Sequence, residues 1–249
     1  MIELEGVSKT LRGKTILASI DLRLEPMKTH VLLGSSGSGK TTLLRMIAGT
    51  LAPDSGKVIV DGQKVEVTDP VQLSDRLGYM RQEGGLFPHL SAKDNVTLVA
   101  RVRSWKKDAL EHRLDELAKV VGLDRAVLDR HPARLSGGQR QRVALMRCLF
   151  LNPRYVLLDE PLGALDPIIR RELQTTLIAA FERLECTVII VTHDVGEAAY
   201  FGHTITLLHQ GRVLQHGTFE ELASAPKDPY VTEFLAAQRP VPELRILGS

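Results

Sequence analysis

Gly34-Ser35-Ser36-Gly37-Ser38-Gly39-Lys40-Thr41 is the stretch whose residue types and spacing speak most directly of chemistry, and Thr42 follows it into an apolar run. Gly34, Gly37 and Gly39 let the backbone take positive φ and turn several N–H groups toward one anion, and a helix N-terminus adds partial positive charge. Lys40 can then reach the β- and γ-phosphates of a nucleotide, and the Thr41 hydroxyl can ligate magnesium. A flexible Gly/Ser loop is the bland alternative. The apolar His30-Val31-Leu32-Leu33 before the segment and Leu43-Leu44-Arg45-Met46-Ile47 after it place it between a strand and a helix, the context a phosphate loop requires.

Two further clusters could act with it. Asp159-Glu160 ends the apolar run Tyr155-Val156-Leu157-Leu158, and in open parallel sheets ligands sit beyond the carboxyl ends of strands. Adjacent strand residues point to opposite faces, so Asp159 is expected to hold the magnesium shell and Glu160 to polarise a water for attack on the γ-phosphorus. Many strands end in Asp for solubility; the phosphate loop favours the catalytic reading. Leu135-Ser136-Gly137-Gly138-Gln139, followed by Arg140-Gln141-Arg142-Val143, is a second anion-binding helix start. A glycine-rich helix cap would explain Gly137 and Gly138 but not the whole pentapeptide. One nucleotide has no need of two cradles in one subunit, so two chains are expected to face head to tail, each ATP lying between one copy's phosphate loop and the other's Ser136 segment.

The elements that must position these groups are legible in the chain. With 249 residues, 43% of them hydrophobic, one or two domains with a substantial core are expected. Alternation at Ile2, Leu4, Ile16, Ala18, Ile20, Leu22 and Leu24 predicts an antiparallel hairpin, and Asp61-Gly62 between Lys57-Val58-Ile59-Val60 and Gln63-Lys64-Val65 predicts another. Leu77-Gly78-Tyr79-Met80 reads as a strand with Gln82 just past its end. Ser91 with Asp94, and Leu110, Leu114, Leu117 and Val121 on one face, make residues 84–154 a helical insertion. Tyr155 to Leu158 resumes a buried parallel sheet; a long helix from Pro167 to about Leu184, a strand Thr187 to Val191, a strand pair around Gln210-Gly211, and a capping box at Thr218 with Glu221 follow. After Arg239 the chain is expected to be loosely ordered.

Totals exclude other classes. Lys plus Arg number 32 against 30 acidic residues, a net charge of +2 without a dense basic run, so no nucleic acid partner is expected. Cys148 and Cys186 form no metal-binding spacing and read as inert core thiols, which favours the cytoplasm. The acidic N-terminal stretch is unlike a secretory signal, and no apolar run reaches the ~20 residues of a membrane helix.

From about Ile2 to Leu222 these motifs resemble the ATP-binding cassette family. The resemblance implies an α/β fold: a P-loop NTPase (RecA-like) core over residues 1–83 and 155–225 with a small antiparallel β subdomain, the α-helical insertion at 84–154, and a C-terminal helix and tail at 226–249. It implies ATP and Mg2+ as cofactors, and Gln82 as the glutamine-loop residue that touches magnesium and the lytic water. Ala164-Leu165-Asp166 looks like the loop that crosses the dimer interface, with Asp166 near the nucleotide. His193, at a strand's carboxyl end, looks like the switch histidine that contacts the γ-phosphate; a lone histidine is otherwise usually structural. Leu11 stands where the family usually stacks an aromatic on adenine, and Met27 where a glycine is common. Glu83 to Leu90 occupies the place where the family docks its permease, although Leu86 and Phe87 could be core. Arg81 to Leu90, with Asn95-Val96 and Arg103-Ser104-Trp105, is similar to the branch that imports glycine betaine, choline and related osmoprotectants. The implied partners are transmembrane permease subunits, a second copy of the chain and a solute-binding protein, at the cytoplasmic face of the membrane. Import of amino acids, polyamines or anions, or a soluble cassette ATPase acting on ribosomes or DNA, are the alternatives; a phosphate-loop kinase leaves the Ser136 pentapeptide unexplained.

Overall fold

A computed structural model of the chain describes residues 1–67, 76–82, 84–163, 165 and 167–238. Three strands carry the expected unbroken apolar runs: β3 (Thr29–Leu33), β7 (Tyr155–Asp159) and β8 (Thr187–Thr192). Each is buried along its whole length. Their side chains alternate between two cores. Val31, Leu33, Val156, Leu158, Val188 and Ile190 face one, while Leu32, Leu157, Ile189 and Val191 face the other, which is why these positions are apolar on both faces. With β6 (Leu77–Met80), β9 (Thr204–His209) and β10 (Arg212–Gly217) they form a six-stranded sheet in the order β10-β9-β3-β8-β7-β6. All its pairings are parallel except β9 with β10.

The second core lies under a separate antiparallel sheet. β1 (Ile2–Leu11), β2 (Lys14–Leu24), β4 (Ser55–Val60) and β5 (Gln63–Lys64) pair in the order β2-β1-β4-β5. The turn into β5 has φ of 51° at Asp61 and 77° at Gly62, the paired positive values that an Asp-Gly hairpin turn requires. The Asp61 carboxylate accepts a hydrogen bond from the Tyr155 hydroxyl, tying this sheet to the start of β7. Helix α1 (Lys40–Ile47) packs between the sheets, with Leu43, Leu44, Met46 and Ile47 buried.

Between β6 and β7 the chain makes α2 (Ala92–Val102), α3 (Lys107–Val120) and α4 (Gly137–Leu149). Ser91 caps α2 by accepting from the Asp94 amide, and Leu114, Leu117 and Val121 are buried as their spacing predicts. α4 seats directly on β6: a Cβ on Gly78 would overlap the Cys148 carbonyl oxygen. Beyond β7 come α5 (Pro167–Leu184), α6 (Val195–Phe201), α7 (Phe219–Ser224) and α8 (Pro229–Ala237). Both cysteines are free and buried, and burial pushes their thiols up, Cys148 to about 12 and Cys186 to about 11. Among the described residues no helix is long and apolar enough to cross a membrane. The expected loose order after Arg239 lies outside the described residues.

Candidate active site

The phosphate-loop segment leaves the buried end of β3 and enters α1 through Gly39, whose φ is 105°. Glycine is obligatory at both ends of this turn. A Cβ on Gly34 would overlap the Leu208 carbonyl oxygen, and one on Gly39 would stand 2.6 Å from Leu17 Cδ2. Among the described residues no side chain caps α1, so its first N–H groups are left for an outside acceptor. Lys40 folds back over the loop, donating from Nζ to the carbonyls of Gly34 at 2.7 Å and Ser35 at 2.8 Å. Burial pushes the Lys40 ammonium below its ordinary pKa, with Glu160 and Asp159 pulling the other way.

Asp159 ends β7 with only 3% of its surface exposed. It accepts a 2.9 Å hydrogen bond from the Thr41 hydroxyl. Burial raises its pKa, opposed by that bond and reinforced by Glu160. A hydroxyl and a carboxylate converging from α1 and β7 are the hard oxygen donors that Mg2+ prefers. Among the described residues no group of three or more His, Cys, Asp and Glu could hold a metal alone, so an ion here would draw its remaining ligands from phosphate and water. On donor chemistry the site fits magnesium.

Glu160 divides labour with Asp159, but not for the reason strand alternation suggests. It lies past the end of β7 with φ of 48°, in the left-handed region that non-glycine residues rarely enter. The turn, not the pleat, aims its carboxylate. That carboxylate sits between two partners: Gln82 Nε2 donates to Oε2 at 3.2 Å, and His193 Nδ1 lies 3.3 Å from Oε1. Gln82, Glu160 and His193 line one cleft of about 600 Å³ with Lys40, Thr41 and Thr42.

The other predicted residues fall elsewhere. Ser136 caps α4 with a closed reciprocal box: its Oγ accepts from the Gln139 amide at 3.2 Å, and its own amide donates to Gln139 Oε1 at 3.0 Å. Gly138 is pressed against α5, where a Cβ would come within 3.1 Å of Ile169 Cγ2. Ser136, Gly137, Gly138 and Gln139 open onto a second cavity of about 620 Å³, shared with Asp124 and Arg142 and not with Lys40. Ala164, Asp166 and Glu83 lie outside the described residues.

Ile16, Phe234 and Gln238 also line the first cleft, and sequence reasoning missed all three. Leu11 is 40% exposed at the hairpin end and does not reach the cleft lining; Ile16, on the returning strand, does. The strand period places Ile16 on the face of Ile20, but the left-handed Ser19 between them, with φ of 49°, shifts the phase, so that Leu17 is the fully buried residue and Ile16 stands half-buried at the cleft. No motif marks Phe234 or Gln238. Leu86 and Phe87 part company: Leu86 packs against the core, while Phe87 is exposed with the Arg147 guanidinium 5.8 Å from its ring centroid.

A phosphate loop feeding α1, with a helical insertion hung on the same parallel sheet, is the architecture of a nucleotide-binding cassette, and residues 17–163 match the family model described as ABC transporter. The chain belongs to that family. It is 39% identical over 240 residues to the glycine betaine/carnitine/choline transport ATP-binding protein OpuCA of Bacillus subtilis, covering 96% of this chain and 63% of that protein. It is 40% identical to the Fe(3+) ions import ATP-binding protein FbpC of Mesorhizobium japonicum, covering 94% of this chain and 65% of that one. The chain thus spans less than two thirds of these relatives. Among solved structures, the dimeric post-hydrolysis state of the ATP-binding cassette MJ0796 bound to ADP and Pi superposes with a TM-score of 0.81 at 30% identity, over 88% of this chain and 98% of that one.

Proposed function

We propose that the chain hydrolyses ATP as the nucleotide-binding subunit of a membrane importer, that two copies enclose the nucleotide together, and that the solute is an osmoprotectant such as glycine betaine or choline. The observation that carries the catalytic part is Glu160 held between Gln82 and His193 in the same cleft as Lys40 and Thr41. In this reading the loop amides and Lys40 bind the triphosphate. Thr41, Asp159 and Gln82 would hold Mg2+, which supplies charge neutralisation at the phosphate oxygens when bound. Glu160 takes the proton of the attacking water as its oxygen bonds to the γ-phosphorus, and the bridging oxygen leaves with ADP. His193 orients Glu160 and faces the phosphate. The second cradle at Ser136, with Asp166, serves the nucleotide of the partner copy.

The placement of the Ser136 cradle on a different cavity supports the head-to-tail pair. The likeness to the glycine betaine/carnitine/choline transport ATP-binding protein OpuCA and the run from Arg81 to Trp105 support the solute class. Closing and reopening of the pair would drive permease subunits docked near Phe87 at the cytoplasmic face, with a solute-binding protein delivering cargo. The test is affinity capture of the tagged chain from membranes combined with radiolabelled uptake. A multispanning permease in the captured material and glycine betaine or choline uptake that requires the chain are expected. Recovery with ribosomes or DNA alone would overturn the transport reading, and uptake of another solute only would overturn the solute class.

A further inference from the structure

The C-terminal helix reaches the candidate site through one side chain. α8 is fastened along its length. Gln215 of β10, buried, donates from Nε2 to the carbonyls of Glu221 at 3.3 Å and Ala225 at 3.1 Å and accepts from the Lys227 amide at 2.8 Å, which fixes the turn between α7 and α8. Asp228 caps α8 by accepting from the Tyr230 amide, the Tyr230 ring lies against His209 with centroids 3.7 Å apart, and Val231, Phe234 and Leu235 are buried. The far end of α8 therefore has one place to be, and Gln238 stands there.

Its carboxamide grips the loop after β8 at two points. Nε2 donates to the His193 carbonyl at 2.7 Å, and Oε1 accepts from the Val195 amide at 2.8 Å. The partners dictate the amide's orientation, because a carbonyl can only accept and an N–H can only donate. Val195 N is one of the donors that the start of α6 cannot pair within the helix. Between the two gripped residues Asp194 caps α6 through the Glu197 amide at 2.9 Å, and just before them Thr192 donates to the Glu197 carboxylate at 2.6 Å. The backbone on both sides of Asp194 is thereby fixed. The His193 imidazole itself stays exposed, reaching Glu160.

We propose that Gln238 is a positioning residue for His193: by bridging the His193 carbonyl and the Val195 amide, it lets the C-terminal helix set where the imidazole stands relative to Glu160 and the phosphate loop. The inference rests on the reading above in which His193 takes part in ATP hydrolysis. A purely structural Gln238 would affect melting temperature but not the chemical step.

Steady-state ATP hydrolysis, ATP affinity and the His193 imidazole NMR signals of the wild-type chain, Q238M and Q238E separate these cases. Methionine keeps the length and apolar stem of the side chain without a matching donor or acceptor. Loss of two ordinary hydrogen bonds is expected to lower kcat about tenfold, with KM for ATP within about twofold because the phosphate loop is untouched, and to move the imidazole signals. Glutamate keeps the acceptor for Val195 but turns a carboxylate on the His193 carbonyl, so its kcat is expected to fall as well; it carries the test if Q238M does not fold. An active wild type beside a variant with unchanged kcat and imidazole signals would overturn the inference alone. A wild-type chain without ATP hydrolysis would overturn the function on which it rests.

Discussion

Two helices in this chain begin with glycine and serine, and they are built in opposite ways. α1 starts at Gly39 without a capping side chain, with buried Lys40 at its mouth and Thr41 bonded to a buried carboxylate. α4 starts at Ser136 with its cap closed on itself through Gln139. The first leaves its N–H groups unclaimed and gathers Glu160, Gln82 and His193 around them. The second ties the Ser136 and Gln139 amides into its own cap and presents glycine edges to a cavity lined by none of those residues. In the proposed reading charge and proton transfer are concentrated at the α1 end, and the α4 end completes an enclosure. In the proposed reading the two ends contribute to a single reaction by coming from different copies.

The largest effect expected from breaking this contrast is at α1. Lys40→Ala removes the ammonium that the loop is folded around, and ATP turnover is expected to fall about 10²- to 10³-fold, measured by phosphate release; wild-type-like turnover would refute the assignment of the α1 end. Ser136→Ala strikes the other end. Loss of the cap should cost about 1 kcal/mol of stability and weaken ATP-dependent pairing on a sizing column, while nucleotide binding to the phosphate loop, followed with a fluorescent ATP analogue, stays intact. Loss of that binding in Ser136→Ala would mean that both cradles serve one nucleotide in one chain.

A smaller effect concerns the strand behind the phosphate loop. His30 on β3 donates from Nε2 to the Glu25 carbonyl at 2.8 Å, and its Nδ1 lies 2.7 Å from the Thr204 hydroxyl, which can donate to the neutral ring. Burial, then the nearby His216 and His203, hold its pKa below the ordinary value, and burial does the same for His216. A folded pKa below the unfolded one means the unfolded chain binds more protons, so this contribution to stability is lost as pH falls below about 6.5. Urea unfolding should show that loss between about pH 7 and pH 5, above the range where ordinary carboxylates titrate. His30→Gln, which can make both hydrogen bonds without titrating, should show a shallower dependence; an identical one would remove His30 from the account. The smallest effect is at Met27, 64% exposed with φ of 58°. Met27→Gly should add about 1 kcal/mol of stability by relieving left-handed strain and leave ATP turnover unchanged.

What was legible in the sequence follows the range of the interactions. The phosphate loop, the Asp61-Gly62 turn, the Thr218 capping box and the buried strands are local signals, and each appears where its residues predict. Glu160 shows the limit of local reasoning. Strand alternation assigned it a separate face from Asp159, yet its direction comes from a left-handed backbone that no period encodes. Ile16 in place of Leu11 at the cleft depends on which part of a hairpin overhangs the loop, and Gln238 meets His193 across 45 residues of sequence. Those relations are set by packing of α8 and β2 against the parallel sheet.

The central claim is that one copy binds the triphosphate and another covers it. The most direct measurement is the structure of the Glu160→Gln variant with ATP and Mg2+, in which hydrolysis no longer separates the partners. The account predicts Ser136 Oγ within hydrogen-bonding distance of a γ-phosphate held by the other copy's phosphate loop; Ser136 distant from every γ-phosphate would contradict it.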